Sequence, residues 1–305
     1  MTASSPTLDR TGTAEQGLAL TRRRFRVGEV LFKLALQACF VLCFAVLAAL
    51  LAWVVVKGWH RLDSRLWTGM PTGRVSRIDR AGVQSAITGT LWVISLTALI
   101  CLPTGVLSAI YLEEYANRER WYNRMLELNI QNLAGVPSII FGILGLGIVA
   151  RQLGLGFSII TAAIVLSLLV LPVVIIATRE AIRAVPQSIR QASYALGATK
   201  WQTVSRQVLP AAVPGIATGS ILALSRAIGE AAPLIMLGAV TYVTFNPDGL
   251  LSAYTVLPIQ IFSFISEAQS EYQELAAAAI VLLLAIVLLM NSLAIFLRSR
   301  FQKRW

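Results

Sequence analysis

Apolar residues fall along the chain in six long runs, about Val30–Val56, Val83–Leu112, Ile130–Ala150, Phe157–Ala177, Leu209–Ala239 and Leu275–Leu297. Each reaches or exceeds the ~20 residues with which an α-helix crosses ~30 Å of hydrocarbon. The pattern predicts an all-α polytopic membrane protein with six transmembrane helices. In the third run Ala134, Ser138 and Gly142 recur every four residues, and Pro137 is expected to bend the helix. In the fifth, Gly215, Gly219, Ala223, Ala227 and Ala231 make a longer stripe of the same period. Small residues so spaced let a neighbouring helix approach closely.

The polar stretches assign the sides of the membrane. Basic residues follow the fourth run (Arg179, Arg183, Arg190, Lys200, Arg206) and the sixth (Arg298, Arg300, Lys303, Arg304). The motif TRRRF at Thr21–Phe25 reads as a basic anchor before the first run, because the run after it is too long for a cleavable export signal. Cytoplasmic loops collect Lys and Arg, so both termini are expected in the cytoplasm. Residues 1–28 are read as a tail and residues 29–305 as one transmembrane domain. Between Ala227 and Leu297 there is no Lys or Arg, while Asp248, Glu267, Glu271 and Glu274 mark an external loop with an apolar stretch at Leu257–Ile265.

Two loops do not fit this scheme cleanly. Residues 57–80 are expected outside yet carry Lys57, Arg61, Arg65, Arg74, Arg77 and Arg80 against Asp63 and Asp79. They are either a tolerated exception or a collector of anions. The loop after the second run mixes Glu113, Glu114, Glu119 and Glu127 with Arg118, Arg120 and Arg124, and favours neither side.

Composition narrows the class. Of 305 residues 56% are hydrophobic and 13% charged, whereas soluble chains carry roughly 45–50% and about 25%. The net charge of +11 comes from cations beside apolar runs, where lipid headgroups account for them and nucleic acid does not. Cys39, Cys43 and Cys101 lie within apolar runs and read as packing residues; His60 has no evident partner, so no metal site is expected. A membrane enzyme would need a clustered nucleophile, base or metal, which this pattern does not offer.

Arg226 and Glu230 lie within the fifth run, one helical turn apart. An ion at mid-membrane costs about 2.5–3.5 kcal/mol on insertion scales. Either the two neutralise each other and lock the helix, or Arg226 faces a translocation path and meets an oxyanion through its guanidinium fork, with Glu230 competing for it.

The polar, basic stretch Pro186–Pro210 stands out between two apolar runs. Ser188 with Gln191 and Thr199 with Gln202 have capping-box spacing, Pro186 suits a first helical turn, and Gly197 sits where a positive-φ residue can end one helix and begin another. Two short helices joined at Gly197 are predicted, with Leu196, Trp201 and Val204 available to a neighbour. They are either an amphipathic connector on the membrane or a docking element for a soluble partner.

QASYALGATKWQTVSRQVLP, Gln191–Pro210, resembles the signature of permease subunits of ATP-binding-cassette importers: Glu-Ala-Ala, three residues, Gly, nine residues, Ile-x-Leu-Pro. Ala192, Gly197, Leu209 and Pro210 match in register, while Gln191, Ser193 and Gln207 replace the first Glu, the second Ala and the Ile. AITGTLWV at Ala86–Val93, LPTGVLSAIYLEEYA at Leu102–Ala116, LAGVPSIIFGILGL at Leu133–Leu146 and RAIGEAAPL at Arg226–Leu234 are similar to A-subunit permeases of phosphate-specific transport. The similarity covers about residues 80–297.

The resemblance implies a type I importer permease fold in a bacterial inner membrane. Its implied partners are a second, homologous permease subunit, a nucleotide-binding ATPase dimer and an extracytoplasmic phosphate-binding protein. The coupling segment would be 186–208, with Gln191, Ala192, Leu196, Gly197, Trp201, Leu209 and Pro210 as its ATPase-coupling residues. With Gln191 in place of Glu, docking is expected to rest on Leu196, Trp201 and the turn at Gly197. The chain has no Gly-Lys dipeptide and so no Walker A loop; ATP and Mg are expected on the ATPase, and no cofactor on this chain. The rival readings are a permease for molybdate or sulfate, a secondary carrier, and a polytopic membrane enzyme.

Overall fold

The structure, a computed structural model, describes residues 27–117, 119–239 and 242–301. The expectations for residues 1–26, Arg118, Lys303 and Arg304 lie outside these. The chain divides into two units, 1–51 and 52–305. The first consists, among the described residues, of most of α1 (Val27–Gly58). Its apolar residues are exposed all round, Phe32, Phe40 and Phe44 among them, as befits a helix that faces lipid.

The second unit carries α2 (Gln84–Ile110), α3 (Trp121–Ala134), α4 (Ser138–Leu144) and α5 (Ile159–Arg183), followed by α6 (Gln187–Ala195), α7 (Lys200–Thr203) and α8 (Leu209–Ile228). It ends with α9 (Ala232–Met236), α10 (Leu257–Ser266) and α11 (Ser270–Phe301). Wide helical turns extend α2 through Tyr111–Tyr115, extend α4 through Gly145–Gln152, and join α7 to α8 through Val204–Val208. Five of the six expected spans are helices long and apolar enough to cross a bilayer.

The third run is not one helix. α3 and α4 meet at 104° across Gly135–Pro137, so this is a sixth span only as a broken one. Pro137 caps α4 rather than bending a continuous helix, and the Ala134–Ser138–Gly142 stripe is divided between two axes. Gly142 still serves close packing, since a Cβ there would lie 2.6 Å from the Pro233 carbonyl oxygen.

The fifth run also breaks. α8 stops at Ile228, and Glu230 and Ala231 lie beyond its end. The stripe holds as far as Ala227, with Ala223 and Ala227 buried against α2 and α5 in a core that includes Val93, Leu166, Val170 and Val174.

The apolar stretch expected in an external loop is α10, ten residues long and too short to span. Leu257, Ile259 and Phe264 are buried, and the Leu257 N–H donates to Thr90 Oγ1 of α2 at 3.0 Å. The loop before it caps α5: the Ile159 and Ile160 N–H groups, left without partners by the helix start, donate to the carbonyls of Ser252 and Leu250.

The basic loop is folded, not slack. Leu66 and Ile78 pack with Phe264, Tyr272 and Leu275. Arg61 reaches Asp79 at 3.7 Å and Glu274 at 3.9 Å, and Lys57 Nζ donates to Gln273 Oε1 at 2.8 Å. Nearby, burial and then the Glu267 carboxylate, which accepts from the Tyr242 hydroxyl, push the Tyr242 phenol above its usual range. Arg65, Arg74, Arg77 and Arg80 stay exposed.

Candidate functional site

The stretch after α5 folds into the expected hairpin of two short helices. α6 ends in a full Schellman turn: the Ala198 N–H donates to Ser193 O at 3.2 Å and the Gly197 N–H to Tyr194 O at 2.9 Å. Gly197 sits at φ +81°, where an L-residue is strained. Thr199 and Gln202 form both bonds of a capping box at the start of α7. The box expected at Ser188 is not made; Pro186 occupies the cap of α6, and no side chain bonds to the helix start. Ser193 Oγ and Thr203 Oγ1, 2.8 Å apart, tie the two helices side by side.

The hairpin turns a mixed face outward. Leu196 is 88% exposed and Trp201 62%, a poor arrangement in water for the two largest apolar side chains at the tip. Gln191 and Ala192 are exposed beside them. Ile189, Ala192, Ser193, Leu196, Gln202 and Arg206 line an open concavity of ≈ 570 Å³. Val204 is fully buried with Ile182, Val185, Val208 and Ile110, so it packs inside the chain and is not available to a neighbour. Leu209 packs at the edge of that cluster, and Leu209 and Pro210 open α8 rather than belonging to the hairpin tip.

Beneath the hairpin lies an ionic cluster that the linear sequence does not disclose. Arg179 of α5 bonds to Glu113 at 3.3 Å and to Glu127 of α3 at 2.7 Å. Arg183 bonds to the other oxygen of Glu113 at 2.8 Å, and Arg190 of α6 to Glu114 at 2.9 Å and 3.2 Å. The signal is present in the sequence as two blocks of opposite charge, Glu113–Glu127 and Arg179–Arg190. Nothing in either block states that they meet.

The Arg226–Glu230 pair exists, but not as one turn of a continuous helix. Gly229 ends α8 between them, and Nε and Oε1 stand 3.6 Å apart, beyond hydrogen-bond length. The Arg226 side chain is 64% exposed and that of Glu230 19%. The pair is loose, and its cation faces outward from an apolar helix.

Long apolar helices, a broken span and a polar hairpin between two of the helices make this unit a polytopic membrane protein. The chain belongs to the family of binding-protein-dependent transport system inner membrane components, which matches residues 101–305. Among its relatives, the phosphate transport system permease protein PstA of Yersinia pestis is 37% identical over 240 residues, 79% of each chain. The phosphate transport system permease protein PstA 1 of Mycobacterium tuberculosis (strain CDC 1551 / Oshkosh) is 33% identical over 249 residues, 81% of each. Among solved structures, an inward-facing MetNI methionine ABC transporter superposes with a TM-score of 0.56 at 20% identity, covering 73% of this chain and 95% of that one. A bacterial alginate ABC transporter superposes with a TM-score of 0.57 at 18% identity, covering 86% and 95%. These two establish the fold alone.

Proposed function

We propose that this chain is one permease subunit of an ATP-driven importer of inorganic phosphate in a bacterial inner membrane. The observation that carries the reading is the likeness to phosphate transport permeases over about four-fifths of the chain. The exposed Leu196 and Trp201 on a capped, cross-linked hairpin support it.

In this reading the hairpin enters a groove of an ATPase dimer, a second homologous permease completes the pathway, and an extracytoplasmic phosphate-binding protein delivers the anion. ATP and Mg are held by the ATPase and no cofactor by this chain, which acts as pore wall and transducer. Both termini and the hairpin lie in the cytoplasm. Closure of the ATPase dimer on ATP draws the hairpins together and switches the pathway between outward and inward access. Arg226 faces that pathway: a largely exposed guanidinium on a membrane helix needs water or an anion beside it, and the long contact to Glu230 leaves its fork free to take a phosphate oxygen.

The test is ATP-dependent uptake of radiolabelled phosphate by the reconstituted importer, with molybdate and sulfate as competitors. Phosphate uptake that neither anion displaces supports the reading. Uptake abolished by a small excess of molybdate or sulfate overturns the substrate, and uptake without the ATPase overturns the class.

A further inference from the structure

One buried group has no part in the roles above. Arg190 is on the first turn of α6, directly before Gln191, yet it is only 8% exposed while Gln191, Ala192 and Leu196 face outward. All three of its nitrogens donate: Nε and Nη2 to the same Glu114 oxygen, Nη1 to Val185 O at 2.7 Å, and Nη2 also to Ile182 O at 3.0 Å. Ile182 is in the last turn of α5 and Val185 lies two residues beyond its end; the Ile182 carbonyl also accepts from the Val185 N–H at 3.2 Å, so Arg190 adds a second bond to a turn that is already closed. One side chain of the hairpin therefore binds the last turn of α2 and the last turn of α5 together.

The wide turn that ends α2 grips the hairpin a second time, because Lys200 Nζ of α7 stands 5.0 Å above the Tyr115 ring. The residue before Glu114 continues the network: Glu113 holds Arg179 and Arg183 of α5, and Arg179 also holds Glu127 of α3. Buried ion pairs add little to stability compared with apolar packing of the same volume, and are best suited to fixing one geometry among several. An apolar cluster of Ile110, Ile182, Val185, Val204 and Val208 already holds this corner. The ionic cluster adds direction: apart from the Arg183–Glu180 pair within α5, its ion pairs join the hairpin or α5 to the end of α2 or to α3.

We propose that Glu114 and Arg190 are positioning residues for coupling, a clamp that makes a push on the α6–α7 hairpin move α2 and α5 with it. This inference rests on the reading of the chain as an ATP-driven permease. Covalent continuity already carries motion from α7 into α8. Residues 184–186 likewise join α5 to α6. The clamp carries the motion sideways to α2, which the hairpin does not continue, and fixes the angle at which it meets α5, so that the spans turn as a unit instead of α8 moving alone.

The test uses the complete importer in proteoliposomes, with phosphate uptake and ATP hydrolysis measured on the same vesicles. Arg190→Gln and Glu114→Gln are expected to keep the ATPase bound and hydrolysing, while phosphate moved per ATP falls roughly tenfold, the size of an ordinary coupling between sites. Arg190→Lys keeps the charge but not the fork that reaches two carbonyls and a carboxylate, and should fall between these variants and wild type. Glu114→Asp, which retains the charge on a shorter stem, stands in if the neutral variants do not reach the membrane, and should lower the same ratio. A wild-type ratio in inserted Arg190→Gln or Glu114→Asp overturns the proposal, as does a parallel fall of uptake and hydrolysis at an unchanged ratio. Absence of ATP-dependent phosphate uptake in the wild-type importer overturns the functional reading instead.

Discussion

Gly219 of α8 and Ala177 of α5 meet with no room for a methyl group between them: a Cβ on Gly219 would lie 2.5 Å from that of Ala177. One turn away, a Cβ on Gly215 would lie 2.8 Å from that of Ala181. Lipid tails are as apolar as leucine, so helices in a bilayer are held by close packing of small residues rather than by burial from water. Gly219→Val should force α5 and α8 apart and destabilise the protein by about 1–3 kcal/mol. Gly147→Ala is the control, since its added carbon meets nothing within 4 Å. Thermal denaturation in detergent should show a lower midpoint for the first variant and an unchanged one for the second; equal midpoints would remove the stripe from the account of packing.

Gly197 is constrained for the opposite reason. Nothing lies within 4 Å of a Cβ built on it, so crowding plays no part and only the φ of +81° opposes substitution. Gly197→Ala should therefore weaken the hairpin by about 1–2 kcal/mol, and Gly197→Val by more. Gly197→Asn should be tolerated best, because Asn visits the left-handed region most readily after Gly. Protease susceptibility of the hairpin in membranes should rise in the order Asn, Ala, Val, and any other order would mean that a neighbouring group, not the turn, fixes the glycine.

Leu196 and Trp201 touch so little of their own chain that truncating them should leave the fold intact. If they are what the ATPase grips, Trp201→Ala should weaken its binding by about 2 kcal/mol or more, as buried aromatic anchors of an interface do. Leu196→Ala should have a smaller effect in the same direction. Titration of purified ATPase onto permease in nanodiscs reads this directly, with an unchanged affinity in both variants placing the docking surface elsewhere.

How far the sequence can be read depends on the range of the interaction responsible. Apolar length and spacing are local, and they disclose the membrane helices, the α8 stripe and the two-helix hairpin with its glycine and Thr199 cap. The breaks after Ala134 and Ile228 are harder, because hydropathy runs straight through them. Gly135 with Pro137, and Gly229 ahead of Pro233, are turn chemistry embedded in an apolar run. α10 reads as loop because ten residues cannot span, although they can be buried from both sides by α2 and α11. Least legible is the ionic cluster. Glu114 and Arg190 are separated by 76 positions, and only the folding of α2 against α5 makes an indecisive loop and a basic loop into partners.

Arg226 and Glu230 allow the two roles weighed for them to be separated by a double-mutant cycle. If the pair only neutralises itself, Arg226→Gln and Glu230→Gln each leave one ion unpaired, and removing both should restore uptake, because the cost of the orphaned charge disappears. If Arg226 meets the anion, the double variant should be as inactive as Arg226→Gln, since the missing guanidinium cannot be replaced by deleting its competitor. Arg226→Lys should then retain a fraction of uptake, because an ammonium keeps the charge without the two-pronged grip of the guanidinium. The 64% exposure of the Arg226 side chain and its 3.6 Å separation from Glu230 favour the second outcome. A lock would be shorter and more deeply buried than this pair. Initial rates of ATP-dependent phosphate uptake at equal amounts of inserted protein provide the measurement, and recovery in the double variant would remove Arg226 from the pathway.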